Sequence, residues 1–442
     1  MLAALPALAA CTVLFAPQQA PGQESPQQSA QKPLAAALAV AVDAATPAER
    51  RAKVDDLLTI SSDVDAWLEA CRTFGSFAQL EAGPHQHVVE LSVLQEVEKT
   101  ELHVYVPRRY DPSKPAPLLI WLHGSGGSGA GQHGHWQQVS EQLGMLVLAP
   151  TEPIETVYAK TPRERASVLA ALRWLRRRAN VDENGIFVGG WSRGGHLAWD
   201  LALRFPDRFA GLAPCVGGPR IELGPGNNIR YLENVRHLPI RDLQGSRDDE
   251  RLLMNLRLAF KQLEKWRSKD AELIEFPELG HSAELGAVDW ATFFQKRREP
   301  WPKRVVRLVA EPSEARSAWL ELTGLRRKVQ VEAQPQVAAA RWQRMDEMQK
   351  RAFLVKALGS YTARVQIEDK GKGRFVADGS GVTRFALLLQ KDQLGKGGKV
   401  EVRLKRSKPI RKVGTPSARV LLQDFVERFD RARLPVVRID VP

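Results

Sequence analysis

The chain has 442 residues, 43% of them hydrophobic and 26% charged, with a formal net charge of +13. That length exceeds one ordinary core, and that apolar content excludes a disordered chain, so two folded domains are expected. Three cysteines exclude a disulfide framework, and no stretch past the first twenty residues is as long and apolar as a membrane span.

Met1 to Ala20 holds one apolar stretch, Leu2 to Ala16, and reads as a secretory leader. Leu8-Ala9-Ala10-Cys11 also resembles a lipobox, in which Cys11 would carry lipid and make the protein a lipoprotein. A secreted, periplasmic or cell-envelope location is therefore expected. Residues 21–48 read as a linker and the start of a helical segment, Pro17 to Pro33 being rich in Gln, Pro and Ser. Residues 34–80 read as helical, most strongly from Glu49 to Leu68, until Gly83-Pro84 breaks the run. His87 to Val93 and Glu101 to Val106 alternate polar and apolar, as antiparallel strands do.

Leu118 to Leu122 and Met145 to Ala149 are continuous apolar runs, the pattern of strands covered on both faces. Thr161-Pro162 supplies the cap and first position of a helix reaching Arg178. A strand, Ile186 to Val188, and a helix from His196 follow. Then come a short strand at Ala210 to Ala213, another at Ile240 to Leu243, and a helix from Asp249 to Trp266. A strand at Glu272 to Phe276 and a helix near Val288 to Lys296 close the series. Strands alternating with helices predict a doubly wound, mostly parallel α/β sheet over residues 49–300.

Pro300-Trp301-Pro302 marks a boundary. Beyond it, Val305 to Val309, Trp319 to Leu322, Lys328 to Glu332, Phe385 to Leu389 and the stretch around Val400, Val402 and Leu404 read as strands. Ala338 to Leu358 and Ala418 to Phe429 read as helices. Residues 301–442 are thus expected to form a smaller, mostly β module. They carry 31 Lys/Arg against 15 Asp/Glu, so the whole positive excess of the chain lies there. Such a surface attracts carboxylate- or phosphate-bearing partners, and electrostatic contact with an anionic envelope or polysaccharide is one expectation. A solvated basic surface is the other. No zinc finger, RNP-like stretch or helix-turn-helix pattern supports nucleic-acid binding.

The chemistry centres on Gly190-Trp191-Ser192-Arg193-Gly194. A strand, Gly-x-Ser-x-Gly, then a helix is the context of a nucleophile elbow, which lifts the serine hydroxyl to a helix N-terminus. A serine needs a base, and the base needs an acid to hold its tautomer. Asp248, in the loop after Ile240 to Leu243, is the expected acid, with Gly245 allowing a sharp exit. Asp249 is its rival, or else the cap of the next helix. His281, behind Gly280 and after the last strand, is the expected base, with Nδ1–H towards Asp248 and Nε2 towards Ser192. The oxyanion hole is assigned to the amides of Arg193 and of Ser125 in the loop His123-Gly124-Ser125-Gly126-Gly127, with Gly126 as second choice. That loop lacks the Gly-Lys-Ser/Thr of a phosphate-binding loop.

On these cues, His123-Gly124-Ser125-Gly126, the elbow, Gly245-Ser246-Arg247-Asp248 and Gly280-His281, residues 85–298 resemble an α/β-hydrolase. Within that superfamily they resemble the secreted serine esterase and poly(3-hydroxybutyrate) depolymerase-like group, related to feruloyl and acetylxylan esterases. The resemblance implies a two-step acyl-enzyme route on a small or polymeric ester, with Ser192 as nucleophile, His281 as base and Asp248 as acid. It implies no cofactor. It says nothing of residues 301–442. A prolyl-oligopeptidase-like peptidase, or an envelope-binding protein with an inactive hydrolase domain, are the alternatives.

Val216 to Leu238 reads as a polar loop where lids are often inserted. Trp136, Trp191 and Tyr158 are candidate pocket walls or core residues. His133 and His135 lack a third partner and are read as surface or rim residues, with no metal. Cys71 and Cys215 either pair or remain two buried thiols.

Overall fold

Apolar runs that do not alternate become the inner strands of a sheet, because both of their faces must be covered. The computed structural model, which describes residues 26–151, 161–221, 226–268, 270–405 and 407–442, places them so. Three helices come first: α1 Pro26–Asp43, α2 Pro47–Ile60 and α3 Val64–Arg72. The first sheet is built from β1 Gly83–Val93, β2 Glu96–Val106, β3 Ala116–Leu122, β4 Leu146–Pro150, β5 Val181–Trp191, β6 Gly211–Cys215, β7 Ile240–Gly245 and β8 Ala271–Phe276. Its connections carry α4 Gln137–Leu143, α5 Pro162–Arg176, α6 Arg193–Arg204 and α7 Glu250–Lys265, and α8 Trp290–Phe293 follows it.

The strand order is β1-β2-β4-β3-β5-β6-β7-β8. Strands β1, β2 and β4 pair antiparallel, and every later pair in the sheet is parallel. This is the sheet of an α/β-hydrolase fold. The central strands β4 and β6 are buried along their whole length, whereas the edge strand β1 alternates between half-buried and exposed over its first eight residues.

Past residue 300 the chain forms β9 Arg304–Val309, β10 Arg316–Ser317, β11 Leu320–Leu325, β12 Ala363–Asp369, β13 Arg374–Ser380, β14 Val382–Leu389, β15 Lys399–Leu404, β16 Ile410–Val413 and β17 Val437–Val441. The helices are α9 Ala339–Gln343, α10 Glu347–Gly359 and α11 Ala418–Arg428. Two sheets result, β10-β11-β14-β17 and β16-β15-β13-β12-β9. Val365, Phe375 and Val402 of one sheet and Leu320, Leu387 and Ile439 of the other share a single core.

Several sequence expectations are corrected. Lys328 to Glu332 is a turn and irregular chain, not a strand. Its Val329 and Val331 are only partly buried and pack from the side. The helix expected over Ala338 to Leu358 breaks at Arg344 to Asp346, where Asp346 turns outward to cap α10 through the Gln349 amide. The helix near Val288 to Lys296 shrinks to the single turn of α8. Helix α1 starts at Pro26, inside the stretch read as linker, because Leu34, Leu38, Ala41 and Val42 have a core to enter. That core is the one beyond residue 300. Val54 and Leu57 of α2, and Trp67 and Cys71 of α3, lie in it too. The N-terminal helices, including the part of residues 49–300 before β1, therefore pack with the C-terminal module rather than with the hydrolase sheet. Residues 1–25, with the expected leader and Cys11, lie outside the described residues.

Buried ions join the two halves. Asp207, after α6, accepts from Arg428, from Arg433 at 2.6 Å and from the amide of Ala318 at 2.9 Å. Burial alone would raise its carboxyl, but Arg428 and Arg433 hold it well below the usual carboxylate range. Arg298 clasps Asp430 through two hydrogen bonds of 2.8 and 2.6 Å.

Candidate active site

Strand β5 runs straight into Ser192, and α6 begins at the next residue. Ser192 has φ +55° and ψ −114°, a strained conformation for a residue with a side chain. Its amide donates to the carbonyl of Cys215 at 2.8 Å, and its carbonyl accepts the first helical bond from His196 at 3.0 Å. The elbow presses against the end of β3. A Cβ on Gly194 would stand 2.0 Å from the carbonyl oxygen of Leu122, and one on Gly190 would stand 2.7 Å from it. Glycine at both positions is therefore imposed by close packing.

The His-Gly loop lies directly on this turn. A Cβ on Gly124 would be 3.7 Å from the Cβ of Ser192. His123 is buried and its Nδ1 lies 2.8 Å from the carbonyl of Gly124, while Gly127 donates to that same carbonyl at 3.2 Å. Ser125 and Arg193 line the same cleft as Ser192.

The structure brings His281 to both of its expected neighbours. Its Nε2 is 2.7 Å from Ser192 Oγ, and its Nδ1 is 2.8 Å from Asp248 Oδ2. The Asp248 side chain is only 7% exposed, whereas that of His281 is half exposed and faces the cleft. Two further donors hold the carboxylate: Gln244 Nε2 reaches Oδ2 at 2.6 Å and the Asp249 amide reaches Oδ1 at 2.7 Å. Asp249 points away. It caps α7, accepting from the amides of Arg251 and Leu252 at 2.9 and 3.0 Å.

The loops that carry Asp248 and His281 are tied to each other. Arg247 donates its amide to the carbonyl of Leu279 at 2.8 Å, and Ser246 donates to that of Phe276 at 2.9 Å. Outside, the side chains of Arg247 and Glu278 form an ion pair.

Sequence reasoning missed several residues of this site. Gln244 was one, although it directly precedes Gly245 and is a polar side chain fully buried on a central strand. Glu164 was another. Its Oε2 accepts from the Thr161 amide at 2.7 Å in the capping box of α5, and its Oε1 accepts from the buried guanidinium of Arg193. His196, Arg220, Arg251 and Asn255 also line the cleft, whose volume is about 650 Å³.

The other residues singled out in the sequence are placed as follows. Trp136 is buried in an aromatic cluster with Trp121, at 4.7 Å between ring centroids, and with Trp290, at 5.1 Å. Trp191 packs partly buried against the same cluster, so neither lines the cleft. Tyr158 lies outside the described residues. The stretch read as a polar lid forms, over Ile229–Val235, a buried 3-10 helix. It is clamped from the other side: Arg230 donates to the carbonyls of Val331, Gln330 and Tyr361 and to Thr362 Oγ1, and Arg364 pairs bidentately with Glu233. Among the described residues of that stretch, Pro219 and Arg220 line the cleft. His133 stacks on Tyr105 at 5.4 Å. Among the described residues no group of three or more His, Cys, Asp or Glu is arranged to hold a metal ion. Cys71 and Cys215 are free and buried, Cys71 in the C-terminal core and Cys215 beneath the elbow.

No family model matches the chain. A bifunctional acetylxylan esterase/xylanase from Neocallimastix patriciarum is 25% identical over 153 residues, which are 34% of this chain and 21% of that protein. A probable carboxylesterase from Arabidopsis thaliana is 23% identical over 134 residues, 26% of this chain and 40% of that one. The chain thus spans less than half the length of these curated relatives. Among solved structures, a thermostable esterase is similar over 48% of this chain and 63% of its own, with 22% identity and a TM-score of 0.39. An S-formylglutathione hydrolase from Agrobacterium tumefaciens is similar over 49% of this chain and 92% of its own, with 17% identity and a TM-score of 0.37.

Proposed function

We propose that this protein is a serine hydrolase that cleaves carboxylic esters. The observation that carries the reading is the unbroken hydrogen-bond chain from Asp248 Oδ2 through both ring nitrogens of His281 to Ser192 Oγ. In the proposed route Ser192 Oγ attacks the ester carbonyl while His281 Nε2 takes the hydroxyl proton. Asp248, fixed by Gln244 and the Asp249 amide, keeps Nδ1 protonated and stabilises the imidazolium that forms. The amides of Arg193 and Ser125 receive the developing oxyanion in this scheme, and the N-terminus of α6 adds a favourable dipole. His281 then passes the proton to the leaving alcohol. Water then gives a proton to His281 as its oxygen attacks the acyl carbonyl, and His281 returns that proton to Ser192 Oγ as the ester bond breaks and the acid leaves.

Small or water-soluble esters are the proposed substrates, since the polar side chains of Arg251 and His196 line the cleft beside Ser192. The test is hydrolysis of p-nitrophenyl acetate by the wild type and by Ser192→Ala. Equal rates would remove the assignment. Export through the leader read in residues 1–20 is part of the proposal. No helix among the described residues is long and apolar enough to cross a membrane.

The C-terminal module is proposed to meet anionic envelope or polysaccharide surfaces. Its charge excess and the exposed Arg374, Arg403 and Arg411 on the five-stranded sheet support this. Retention on an anionic polysaccharide that does not weaken with added salt would count against it.

A further inference from the structure

One wall of the cleft is the first two turns of α7. Arg251, Leu252 and Asn255 stand there at spacings of three and four, on one helix face. The polar groups around them are engaged by the protein itself. Asp248 holds three donors, and Asp249 caps the helix. Asn255 donates to the carbonyl of Pro219 at 3.3 Å and accepts from Arg351 Nε at 3.1 Å. His196 Nδ1 lies against the backbone of Gly218.

Arg251 differs. Its side chain is exposed to the cleft and makes no ion pair or hydrogen bond among the described residues. It also stands in the first turn of a 16-residue helix, at the positive end of the dipole, where a cation is unfavourable for helix stability. Arg257, further along the same helix, pairs with Glu275 at 2.7 Å instead. A guanidinium with five donors in a planar fork is thus presented to a cleft that Ser192 and His281 also line, with Asp248 and Asp249 already held by their own donors.

We propose that Arg251 binds an ionised carboxylate carried by the substrate next to its scissile ester. The preferred substrates are then esters with a second, free acid group, such as half-esters of dicarboxylic acids or esters of hydroxy-acids. The proposal rests on the esterase reading above and names its substrate class. A planar carboxylate matches the Arg fork in two parallel hydrogen bonds, which a neutral ester of the same length cannot form.

The test compares kcat/KM for two matched pairs: monoethyl adipate against ethyl hexanoate, and 4-acetoxybenzoate against phenyl acetate. The first pair carries the acid on the acyl side, the second on the alcohol side. The readout is the ratio of charged to neutral substrate within each pair, in wild type, Arg251→Gln, Arg251→Lys and Arg257→Gln. The wild-type ratio is expected above one for at least one pair. Arg251→Gln should lower it by about tenfold or more, the size of a lost charge-assisted pair. Arg251→Lys should restore part of it, and Arg257→Gln should leave it in place. Hydrolysis that depends on Ser192, with ratios unmoved by Arg251→Gln in both pairs, would overturn the proposal while leaving the esterase reading standing. If Ser192→Ala removes no hydrolysis of any of the four esters, both fall together.

Discussion

The carbonyl oxygen of Gly280 lies where a side chain on Gly245 would have to begin: a Cβ built there would be 1.9 Å from it. The sequence reading gave Gly245 the task of a sharp exit from β7. Its φ is not positive, and the constraint is instead this close approach between the loop of Asp248 and the loop of His281. Gly245→Ala is therefore expected to push the two loops apart and lengthen the bond between Asp248 and His281. Loss of kcat should exceed the loss of substrate binding, with the fold retained by circular dichroism. An alanine variant with wild-type kcat would contradict the packing described here.

Asp248 and Asp249 are neighbours with different partners, so their variants should separate. On the proposed role of Asp248 as the triad's acid, Asp248→Ala should cut kcat by several orders of magnitude. Asp249→Ala removes a helix cap and should cost about 1 kcal/mol of stability with most activity kept. Thermal unfolding and ester hydrolysis on both variants check this. Matching losses of activity would mean that the cap is not the main role of Asp249.

Glu164 and Arg193 are both almost completely buried, and Glu164 joins the start of α5 to the residue after Ser192. Removing one partner of a buried pair leaves the other in a medium that solvates it poorly. Glu164→Ala is expected to destabilise the protein by about 3 kcal/mol or more and to lower kcat through movement of the elbow. Urea unfolding measures the first effect. A destabilisation within the range of an ordinary surface substitution would show the pair to be dispensable.

Asp242 lies fully buried on β7, with Trp199 Nε1 donating to its Oδ2 at 2.7 Å and Oδ1 without a partner among the described residues. Burial pushes its carboxyl well above the usual range, opposed only by that hydrogen bond. The folded state therefore holds this proton where the unfolded chain has released it. Stability from this group is fully present below the unfolded carboxyl pKa and falls as pH rises through the range up to the folded value. Asp242→Asn keeps an acceptor for Trp199 and loses the titration. Its melting temperature relative to wild type should rise as pH increases above the ordinary carboxylate range. A difference that stays constant as pH rises would show that Asp242 does not titrate as its surroundings require.

Most of the order of strands and helices up to residue 300, though not α4, was legible in the sequence because it depends on short-range pattern. A run such as Leu118 to Leu122 has no polar face, Thr161-Pro162 caps its own helix, and the elbow glycines mark a tight turn. The expected acid and base followed from their places after particular strands. The module beyond residue 300 was harder to read. Strands β10, β12, β13, β16 and β17 were not anticipated, since charged residues interrupt the apolar pattern: Arg364 pairs with Glu233 of the 3-10 helix, Glu368 with Lys370, and Arg438 with Glu321 of β11. Burial of Trp136 could not be separated from a place in the cleft, because a tryptophan in a loop is compatible with both.

The sequence by itself determined the α/β alternation, the sharp turn at Ser192 and the candidate trio Ser192, Asp248 and His281, all of which rest on local spacing and turn chemistry. Only the tertiary structure decided that Gln244 braces Asp248, that Glu164 holds Arg193, and that Arg351 reaches Asn255 across 96 positions of chain. It also decided that helices α1 to α3 share a core with the last third of the chain. These are pairings between distant segments. A buried charge or an apolar helix face specifies only that a partner is needed, and which partner meets it depends on how the whole chain packs.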